Sequence, residues 1–334
     1  MSITIKALAE KLKLSTATVS RVLNSRQSTL VSEETRRRVM RVAEELGYYP
    51  NQAAQALATG RTDTIGLLAF AVYPSHYSET LNYLQRILSR AGFNLQIMDT
   101  MDKVPNRPQI AKISSWAVDG IIAFDSPIVV RSLLEVTPNP RVPIVCMGTA
   151  VFSEVATVNV NVYDAVVEGL RHLLAGGCRR VACMGDPEDQ QSSDPRFLAY
   201  QDVMKQAGLS CEYITVQAED FTRYRQEARK AVRDYISRHG CPEAIFASTD
   251  EMAIGTFRGL RDLGLCIPRD VMLMGFDGIE ETAYHDPPIS TIAIPMEEVC
   301  RKAWELLSSR MNNPELPPRH ITLDANLVIR ESTR

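Results

Sequence analysis

Five residues between positions 16 and 21 have the types and spacing that suit contact with DNA bases. Thr16, Ala17, Thr18, Ser20 and Arg21 combine short, mostly hydrogen-bonding side chains with one long cation. If they lie on one side of a helix, that helix can enter the major groove and touch base edges. The alternative is an ordinary amphipathic helix without a nucleic-acid partner.

Two short helices joined by a tight turn must position these side chains. Apolar residues at helical spacing predict the first helix: Ile5, Leu8, Ala9 and Leu12. The apolar side of the second helix consists of Val19, Val22 and Leu23. Thr4 and Ser15 are predicted to cap the two helices, because their hydroxyls can accept from unpaired N–H groups of a first turn.

A third helix is predicted from Ser32, a suitable N-cap, to Gly47, which ends it. Its apolar side consists of Val39, Val42, Ala43 and Leu46, and its cationic side of Arg36, Arg37, Arg38 and Arg41. An arginine run is often only a solvated face. Beside a base-reading helix, contact with DNA phosphates is the preferred interpretation.

The charge distribution favours a DNA contact confined to the amino-terminal part. Residues 1–61 carry 10 Lys or Arg and 5 Asp or Glu, a net charge of +5. The rest of the chain carries 27 and 35, a net charge of −8. A small basic head on an acidic body suits local contact with nucleic acid.

An alanine-rich stretch, 52–60, follows the head and predicts a helix of about two turns, which is marginal on its own. Leu57 is its one large apolar side chain. An exposed leucine at this position would bury no apolar surface. If Leu57 inserts between base pairs, it can kink the DNA at the minor groove. Residues 60–63 are predicted to form a linker.

From residue 64 onwards, short apolar strands alternate with helices in two successive runs, 64–175 and 180–276. This alternation predicts two parallel sheets, each in a Rossmann-like lobe. Ligands of such folds bind beyond the carboxyl ends of the strands, so a cleft between the lobes is the expected site. The tail is predicted to cross back, with a helix over 296–311 and a final extended segment over 320–329.

Several classes of protein are disfavoured by composition. The amino terminus has no apolar run of signal-peptide length, and no stretch reaches the roughly 18 apolar residues that span a membrane. The seven cysteines are scattered without a Cys-x-x-Cys pair, which indicates reduced thiols, a cytoplasmic protein and no metal site.

The alternatives to a DNA-binding protein are an enzyme and a secreted sugar-binding protein. An enzyme is disfavoured because the chain lacks a Gly-x-Gly-x-x-Gly turn after the first strand, a phosphate-binding Walker loop and a Gly-x-Ser-x-Gly elbow, and because its five histidines are dispersed. We therefore expect no catalytic residues and no cofactor. A secreted sugar-binding protein would fit the body of the chain, but the basic head and the lack of a signal peptide oppose it.

Motifs spread over nearly the whole chain resemble the lactose-repressor/galactose-repressor family of bacterial helix-turn-helix transcription regulators. In the head they are Thr-Val-Ser-Arg-Val-Leu-Asn at 18–24, Val-Ser at 31–32, Gly-Tyr at 47–48, Pro-Asn at 50–51 and Ala-Leu at 56–57. In the body they are Val-Asp-Gly-Ile-Ile at 118–122, Thr-Asp at 249–250, Pro-Arg-Asp-Val at 268–271, Gly-Phe-Asp at 275–277 and Pro-Pro-Ile-Ser-Thr-Ile at 287–292. Each motif is weak alone, but together and in order they are specific.

The resemblance implies a fold of three parts: an all-α helix-turn-helix head over 1–49, a hinge helix and linker over 50–63, and an α/β core over 64–334. The core would resemble periplasmic sugar-binding proteins. Its first lobe would hold about 64–160 and 293–322, and its second about 161–292 and 323–334. The implied function is transcription regulation, expected to be repression, by a homodimer on a near-palindromic operator, controlled by a small-molecule effector such as a sugar or sugar derivative.

The resemblance also implies two sets of site residues. By position, Thr16, Ala17 and Arg21 match the base-reading residues, and Leu57 matches the minor-groove wedge. The complete expected DNA-binding set is Thr4, Ser15, Thr16, Ala17, Thr18, Ser20, Arg21, Asn24, Asn51, Ala54 and Leu57. The expected effector-binding set is His76, Tyr77, Gln190, Ser192, Arg196, Phe221, Asp250 and Asp277. Trp116 is expected in the core or at the rim of the cleft, since aromatic side chains usually pack.

Overall fold

The computed structural model describes residues 4–24, 31–48, 56, 60–69, 75–100, 104–137, 142–148, 152–186, 194–218 and 221–334, and the elements below are numbered within these ranges. The chain forms two compact units. The first comprises Met1–Asp63 with Ala117–Asp119, and the second comprises Thr64–Trp116 with Gly120–Arg334. Within the described ranges, no helix is both long enough and apolar enough to cross a membrane.

The first unit contains a three-helix head, as predicted. Its helices are α1 (Ile5–Leu12), α2 (Thr16–Asn24) and α3 (Glu33–Glu45). They enclose a small core formed by Leu8, Ala9, Leu12, Val19, Val22, Val39 and Ala43. The apolar sides predicted from helical spacing are therefore the sides that pack together.

Hydroxyl groups cap all three helices of the head. Thr4, Ser15 and Ser32 each accept a hydrogen bond from the backbone N–H three residues further on, over 3.3, 3.1 and 3.3 Å. Gly47 follows α3 with a φ of +62°, a conformation that glycine adopts without strain. The predicted caps and the predicted end of α3 are confirmed.

The first sheet of the second unit has six parallel strands, in the order β11, β5, β4, β3, β1, β2. Its elements are β1 (Thr64–Ala69), α4 (Ser75–Ala91), β2 (Asn94–Asp99), α5 (Arg107–Ser114), β3 (Gly120–Phe124), α6 (Pro127–Val136), β4 (Ile144–Gly148), β5 (Ala156–Asn161), α11 (Met296–Asn312) and β11 (His320–Asp324). The inner strands are buried along almost their whole length, because helices cover both faces of a parallel sheet.

The second sheet also has six strands, in the order β12, β10, β9, β8, β6, β7, and only β12 runs antiparallel. Its elements are α7 (Tyr163–Ala175), β6 (Val181–Gly185), α8 (Pro195–Gln206), β7 (Glu212–Thr215), α9 (Tyr224–His239), β8 (Ala244–Ala247), α10 (Asp250–Asp262), β9 (Met272–Asp277), β10 (Ser290–Ala293) and β12 (Asn326–Val328). The predicted pair of Rossmann-like lobes is confirmed.

The chain passes between the two sheets three times: after β5, after β10 and after β11. The final segment is extended, as predicted over 320–329, but it forms two strands, because β11 joins the first sheet and β12 the second. Sheet membership also shifts the predicted lobe limits slightly. Asn161, Leu323 and Asp324 belong to the first sheet, and Ala293 belongs to the second.

Candidate functional site

Helix α2 presents the predicted base-reading residues on its solvent side. Thr16, Ala17 and Arg21 are exposed, whereas Val19 and Val22 on the opposite side are buried. This arrangement leaves one cation and two short side chains on a single exposed surface. A helix with this surface is suited to the major groove, where arginine can donate two hydrogen bonds to guanine.

The remaining predicted DNA contacts near α2 divide by burial. Thr18 and Ser20 are half-buried. The Ser15 and Thr18 hydroxyls are hydrogen-bonded to each other over 2.8 Å at the start of the helix. Thr4 and Ser15 therefore have a structural role as caps, whether or not they also contact DNA. Asn51, Ala54, Leu57 and the side chain of Asn24 lie outside the described residues.

The arginines of α3 are not equivalent. Arg38 donates to the backbone carbonyl of Leu12 over 2.8 Å, and so ties α3 to the end of α1. Arg36 and Arg41 lie 3.8 and 3.7 Å from glutamates of their own helix. The sequence predicted phosphate contact for the whole run, whereas Arg38 already has a structural partner within the head.

Asp119 is a residue of the first unit to which sequence reasoning gave no role, although it lies in the Val-Asp-Gly motif. Its carboxylate accepts from the backbone N–H and the hydroxyl of Thr62 over 2.7 and 2.9 Å. It also accepts from the backbone N–H of Asp63 over 2.9 Å. Asp119 thus fixes the end of the linker.

The second unit brings four of the predicted effector-binding residues close together from both lobes. His76 and Tyr77 lie at the start of α4 in the first lobe. Arg196 lies at the start of α8, and Asp277 ends β9, both in the second lobe. The charge of Arg196 is close enough to lower the pKa of both His76 and Tyr77, and the charge of Asp277 raises the pKa of Tyr77. These four residues are called the cleft residues below.

Arg196 is held in a fixed orientation. Its Nε and Nη2 atoms donate to the Asp194 carboxylate, the latter over 2.6 Å, and Nη1 donates to the Ser248 carbonyl over 2.7 Å. The guanidinium lies 5.3 Å from the ring centroid of Phe276. Burial raises the pKa of Asp194, but Arg196 outweighs burial and leaves it below its ordinary value.

Sequence reasoning missed Asp194. The signal was an aspartate directly before Pro195, the arrangement typical of an N-cap followed by proline at the first helical position. The structure confirms the cap, because the Asp194 carboxylate accepts from the Arg196 backbone N–H over 2.8 Å. One carboxylate therefore starts α8 and orients the arginine side chain that α8 presents.

Asp277 has an unusual backbone conformation at the end of β9. Its φ is +121°, a region that costs energy for a residue with a side chain and that is found where surrounding structure imposes it. Burial and the nearby Asp250 carboxylate raise the pKa of Asp277, while Arg196 opposes them. This carboxyl is therefore easier to protonate than an exposed aspartate.

Asp250 is buried in the second lobe, whereas the sequence suggested that it faces the ligand in the cleft. Its side chain is fully buried and accepts from the backbone N–H groups of Gly278 and Ile279, over 2.8 and 2.9 Å, and from the Thr291 hydroxyl over 2.8 Å. Burial raises its pKa to about 6. The expectation of direct ligand contact is therefore revised: Asp250 supports the turn that follows Asp277.

His76 and Tyr77 form an aromatic cluster with Phe124, with ring centroids 5.0–5.7 Å apart. The Tyr77 hydroxyl lies 3.4 Å from the Asp125 carboxylate. Burial, and then the Asp125 and Asp277 charges, raise the pKa of Tyr77 well above its ordinary value. Burial and the Arg196 charge lower the pKa of His76 to about 4. Both side chains are therefore uncharged at neutral pH.

The other predicted residues fall into two groups. Gln190, Ser192 and the side chain of Phe221 lie outside the described residues. Trp116 packs against β1, where a Cβ added to Gly66 would lie 2.7 Å from the Trp116 ring. The expectation that Trp116 packs in the core or at the rim, and does not contact the ligand, is consistent with this position.

A groove of about 400 Å³ lies elsewhere, between β7 and α9. Its lining includes Glu227, Lys230, Asp234 and Arg238, so charges of both signs border it. Within the described ranges, no group of three or more histidine, cysteine, aspartate or glutamate side chains is placed to hold a metal ion.

The lowered pKa of His76 makes stability depend on pH. Between pH 4 and 6.5 the unfolded chain binds a proton at this residue and the folded chain does not, so stability falls as pH falls through this window. On going from pH 7 to pH 5, we expect the wild type to lose about 2 kcal/mol more unfolding free energy than His76→Gln. Urea unfolding at both pH values measures the difference.

The oppositely shifted Asp250 is present in both proteins and cancels from this comparison. His239→Gln, at the exposed end of α9, makes the same exchange of side chains outside the aromatic cluster and is the matched control. Equal losses in wild type and His76→Gln would contradict the assignment of a buried, neutral His76.

Comparison with known proteins agrees with this architecture. The family described as bacterial regulatory proteins, lacI family, matches residues 4–51, and the periplasmic binding protein-like domain matches residues 170–333. The HTH-type transcriptional repressor CytR of Escherichia coli K12 is 28% identical over 332 residues, which cover 99% of this chain and 96% of that protein.

Two solved structures extend the comparison. The transcriptional regulator CelR in complex with cellobiose is 25% identical, with a TM-score of 0.68 and 99% of each chain covered. The lac repressor dimer bound to operator and the anti-inducer ONPF is 21% identical, with a TM-score of 0.80, covering 100% of this chain and 99% of that one. At that identity the second likeness bears on the fold alone.

A capped helix-turn-helix head joined to a two-lobed, binding-protein-like core defines a class of protein, the DNA-binding transcription regulators. Within that class, the head of the chain matches the lacI family of bacterial regulatory proteins over residues 4–51.

Proposed function

We propose that this regulator is a repressor that binds a near-palindromic operator as a homodimer. Its affinity for the operator rises or falls when a neutral sugar, or a related polyol, binds between the lobes. The observation that carries the effector proposal is the convergence of His76, Tyr77, Arg196 and Asp277 from two lobes on one place. Such convergence at the carboxyl ends of strands is where folds of this kind bind ligands.

The balance of charge in the cleft favours a neutral ligand. Arg196 is paired with Asp194, and His76 and Tyr77 are uncharged at neutral pH. Asp277 is the remaining acidic group among the cleft residues, and a dianionic ligand would be repelled by it when ionised. Neighbouring hydroxyls of a sugar suit this set, because a guanidinium donates in a fork and a carboxylate accepts from adjacent hydroxyls.

The head supplies the DNA-binding part of the proposal. Thr16, Ala17 and Arg21 are proposed to read bases, with Arg21 contacting guanine. A single head of this size binds weakly, so two heads on two half-sites would gain affinity through their effective concentration. The hinge segment 52–59, including the proposed Leu57 wedge, would transmit lobe closure to the heads.

We assign no catalytic role to the cleft. In this proposal the effector leaves chemically unchanged, and its differential affinity for two conformations of the core supplies the signal. Recovery of a bound sugar unaltered after prolonged incubation would agree with this assignment, and its conversion to product would contradict it.

A thermal-unfolding screen tests the effector proposal. A ligand of the native state raises the unfolding temperature in proportion to the logarithm of its concentration over Kd. We expect a neutral sugar to raise it and the matching sugar phosphate to have a much smaller effect. Stabilisation by sugar phosphates or nucleobases alone would contradict the neutral-sugar proposal.

A further inference from the structure

Glu251 connects the two lobes through one carboxylate. It lies in the first turn of α10, in the second lobe, and its side chain is only 12% exposed. Its Oε1 atom accepts from both the backbone N–H and the hydroxyl of Ser75, over 3.1 and 2.8 Å. Ser75 is the first residue of α4, in the first lobe. The contact therefore crosses from one lobe to the other.

The second oxygen of Glu251 has a partner within its own lobe. Oε2 accepts from Nε of Arg225, the second residue of α9. The two terminal nitrogens of Arg225 donate to the Glu281 carboxylate over 3.0 and 2.7 Å. Burial raises the pKa of Glu251, but the hydrogen bonds from Arg225 and Ser75 outweigh it and leave the pKa below its ordinary value. Glu251 is ionised at neutral pH.

Because the two oxygens of Glu251 have partners in different lobes, its contact with Ser75 can form and break. If the lobes separate, Ser75 leaves Glu251, but Arg225 stays with it. Separation therefore does not leave a buried carboxylate unpaired, which is the expensive outcome when an ion pair is disrupted. The contact can contribute to a balance between two arrangements of the lobes without locking either one.

The partner of Glu251 directly precedes two of the cleft residues. Ser75 is followed by His76 and Tyr77 in the first turn of α4. One turn further on, the Glu79 carboxylate lies 3.4 Å from the backbone N–H of Glu280, which again belongs to the second lobe. The start of α4 is thus held against the second lobe at two points, and His76 and Tyr77 lie between these points in the chain.

We propose that Glu251 is a positioning residue that ties lobe closure to the presentation of His76 and Tyr77 in the cleft. The link to regulation rests on the proposed function of the cleft, but the positioning itself is a property of the ligand-free protein. Glu251 does not contact the effector in this proposal. It acts through Ser75 and the first turn of α4.

Hydrogen exchange on the ligand-free, full-length protein tests the contact. Glu251→Gln and Ser75→Ala are each expected to speed amide exchange in peptides covering 75–80 about tenfold, because the first replaces a charged acceptor by a neutral amide oxygen and the second removes the hydroxyl donor. Glu305→Gln is the matched control, since Glu305 pairs with Arg301 and Lys302 within α11. It is expected to leave exchange in 75–80 unchanged.

The double variant shows whether the two residues act together. Adding Ser75→Ala to Glu251→Gln is expected to speed exchange by less than twofold beyond the single variant, because the shared contact is already weakened. Independent, multiplicative effects, or no effect of Glu251→Gln on 75–80, would overturn the proposal.

A second readout separates positioning from general loosening of the fold. The pKa of His76, followed by NMR, is expected to move from about 4 towards its ordinary value in Glu251→Gln, because the ring is no longer held in its buried site. An unchanged His76 titration would contradict the positioning role. Neither measurement uses an effector. If no sugar binds the protein, the results for Glu251 therefore remain valid, and the two proposals can fail independently.

Discussion

Arg196→Lys is expected to weaken binding of the sugar effector at least 30-fold while operator affinity without effector changes by less than about twofold. The substitution keeps the positive charge but removes the fork of N–H donors, and hydrogen bonds to charged groups contribute roughly 1.5–3 kcal/mol each. Lysine also cannot hold Asp194 and the Ser248 carbonyl at once in the observed arrangement. Titration calorimetry with the sugar found by thermal screening measures the first effect, and fluorescence anisotropy with operator DNA measures the second.

Arg301→Lys is the control for this prediction. Arg301 also pairs with two carboxylates, Glu298 and Glu305, but on the half-exposed surface of α11. We expect its effector affinity to equal that of the wild type. If Arg196→Lys bound the sugar as tightly as the wild type, Arg196 would have to be removed from the proposed effector site.

Arg21→Ala is expected to weaken binding to the selected operator about 5- to 150-fold and binding to random DNA by less than about threefold. The reason is that a bidentate contact between arginine and guanine contributes about 1–3 kcal/mol of discrimination between bases, whereas random DNA is held mainly through its phosphates. Anisotropy titrations on both duplexes at one salt concentration give the two ratios.

Arg41→Ala provides the contrast. Arg41 is an exposed cation on α3, 3.7 Å from Glu45, and is proposed to contact a phosphate. We expect it to weaken both duplexes by a similar factor and to reduce the salt dependence of binding by about one counterion. If Arg21→Ala instead behaved like Arg41→Ala, Arg21 would be a phosphate contact and not a base reader.

The secondary structure could be predicted in large part because it depends on local patterns. Helical spacing located α1, α2 and α3, and the hydroxyl caps at Thr4, Ser15 and Ser32 required only neighbouring residues. The alternation of strands and helices was enough to predict two parallel sheets. The exact residue at which the last extended segment passes from the first sheet to the second could not be predicted, because the limits of β11 and β12 depend on two sheets built from distant parts of the chain.

The roles of the residues in and around the cleft were harder to predict from the sequence than the secondary structure. Asp250 and Asp277 both follow apolar segments, so sequence alone could not separate a residue facing the cleft from one behind it. Their roles differ because Thr291, which lies 41 residues after Asp250, donates to Asp250 and completes its burial. Asp119 and Glu251 were missed for a related reason: their partners, Thr62 and Ser75, are 57 and 176 residues away in the chain.

The most direct test of the central claim is the operator affinity of the full-length protein with and without its effector. DNA selected from a random pool should contain a near-palindromic site bound about 1,000-fold or more tightly than random DNA at the same salt concentration. The stabilising sugar should then change that affinity about 5- to 150-fold, the range of ordinary allosteric coupling. Binding that does not distinguish the selected site from random DNA, or a sugar that binds without changing operator affinity, would contradict the account.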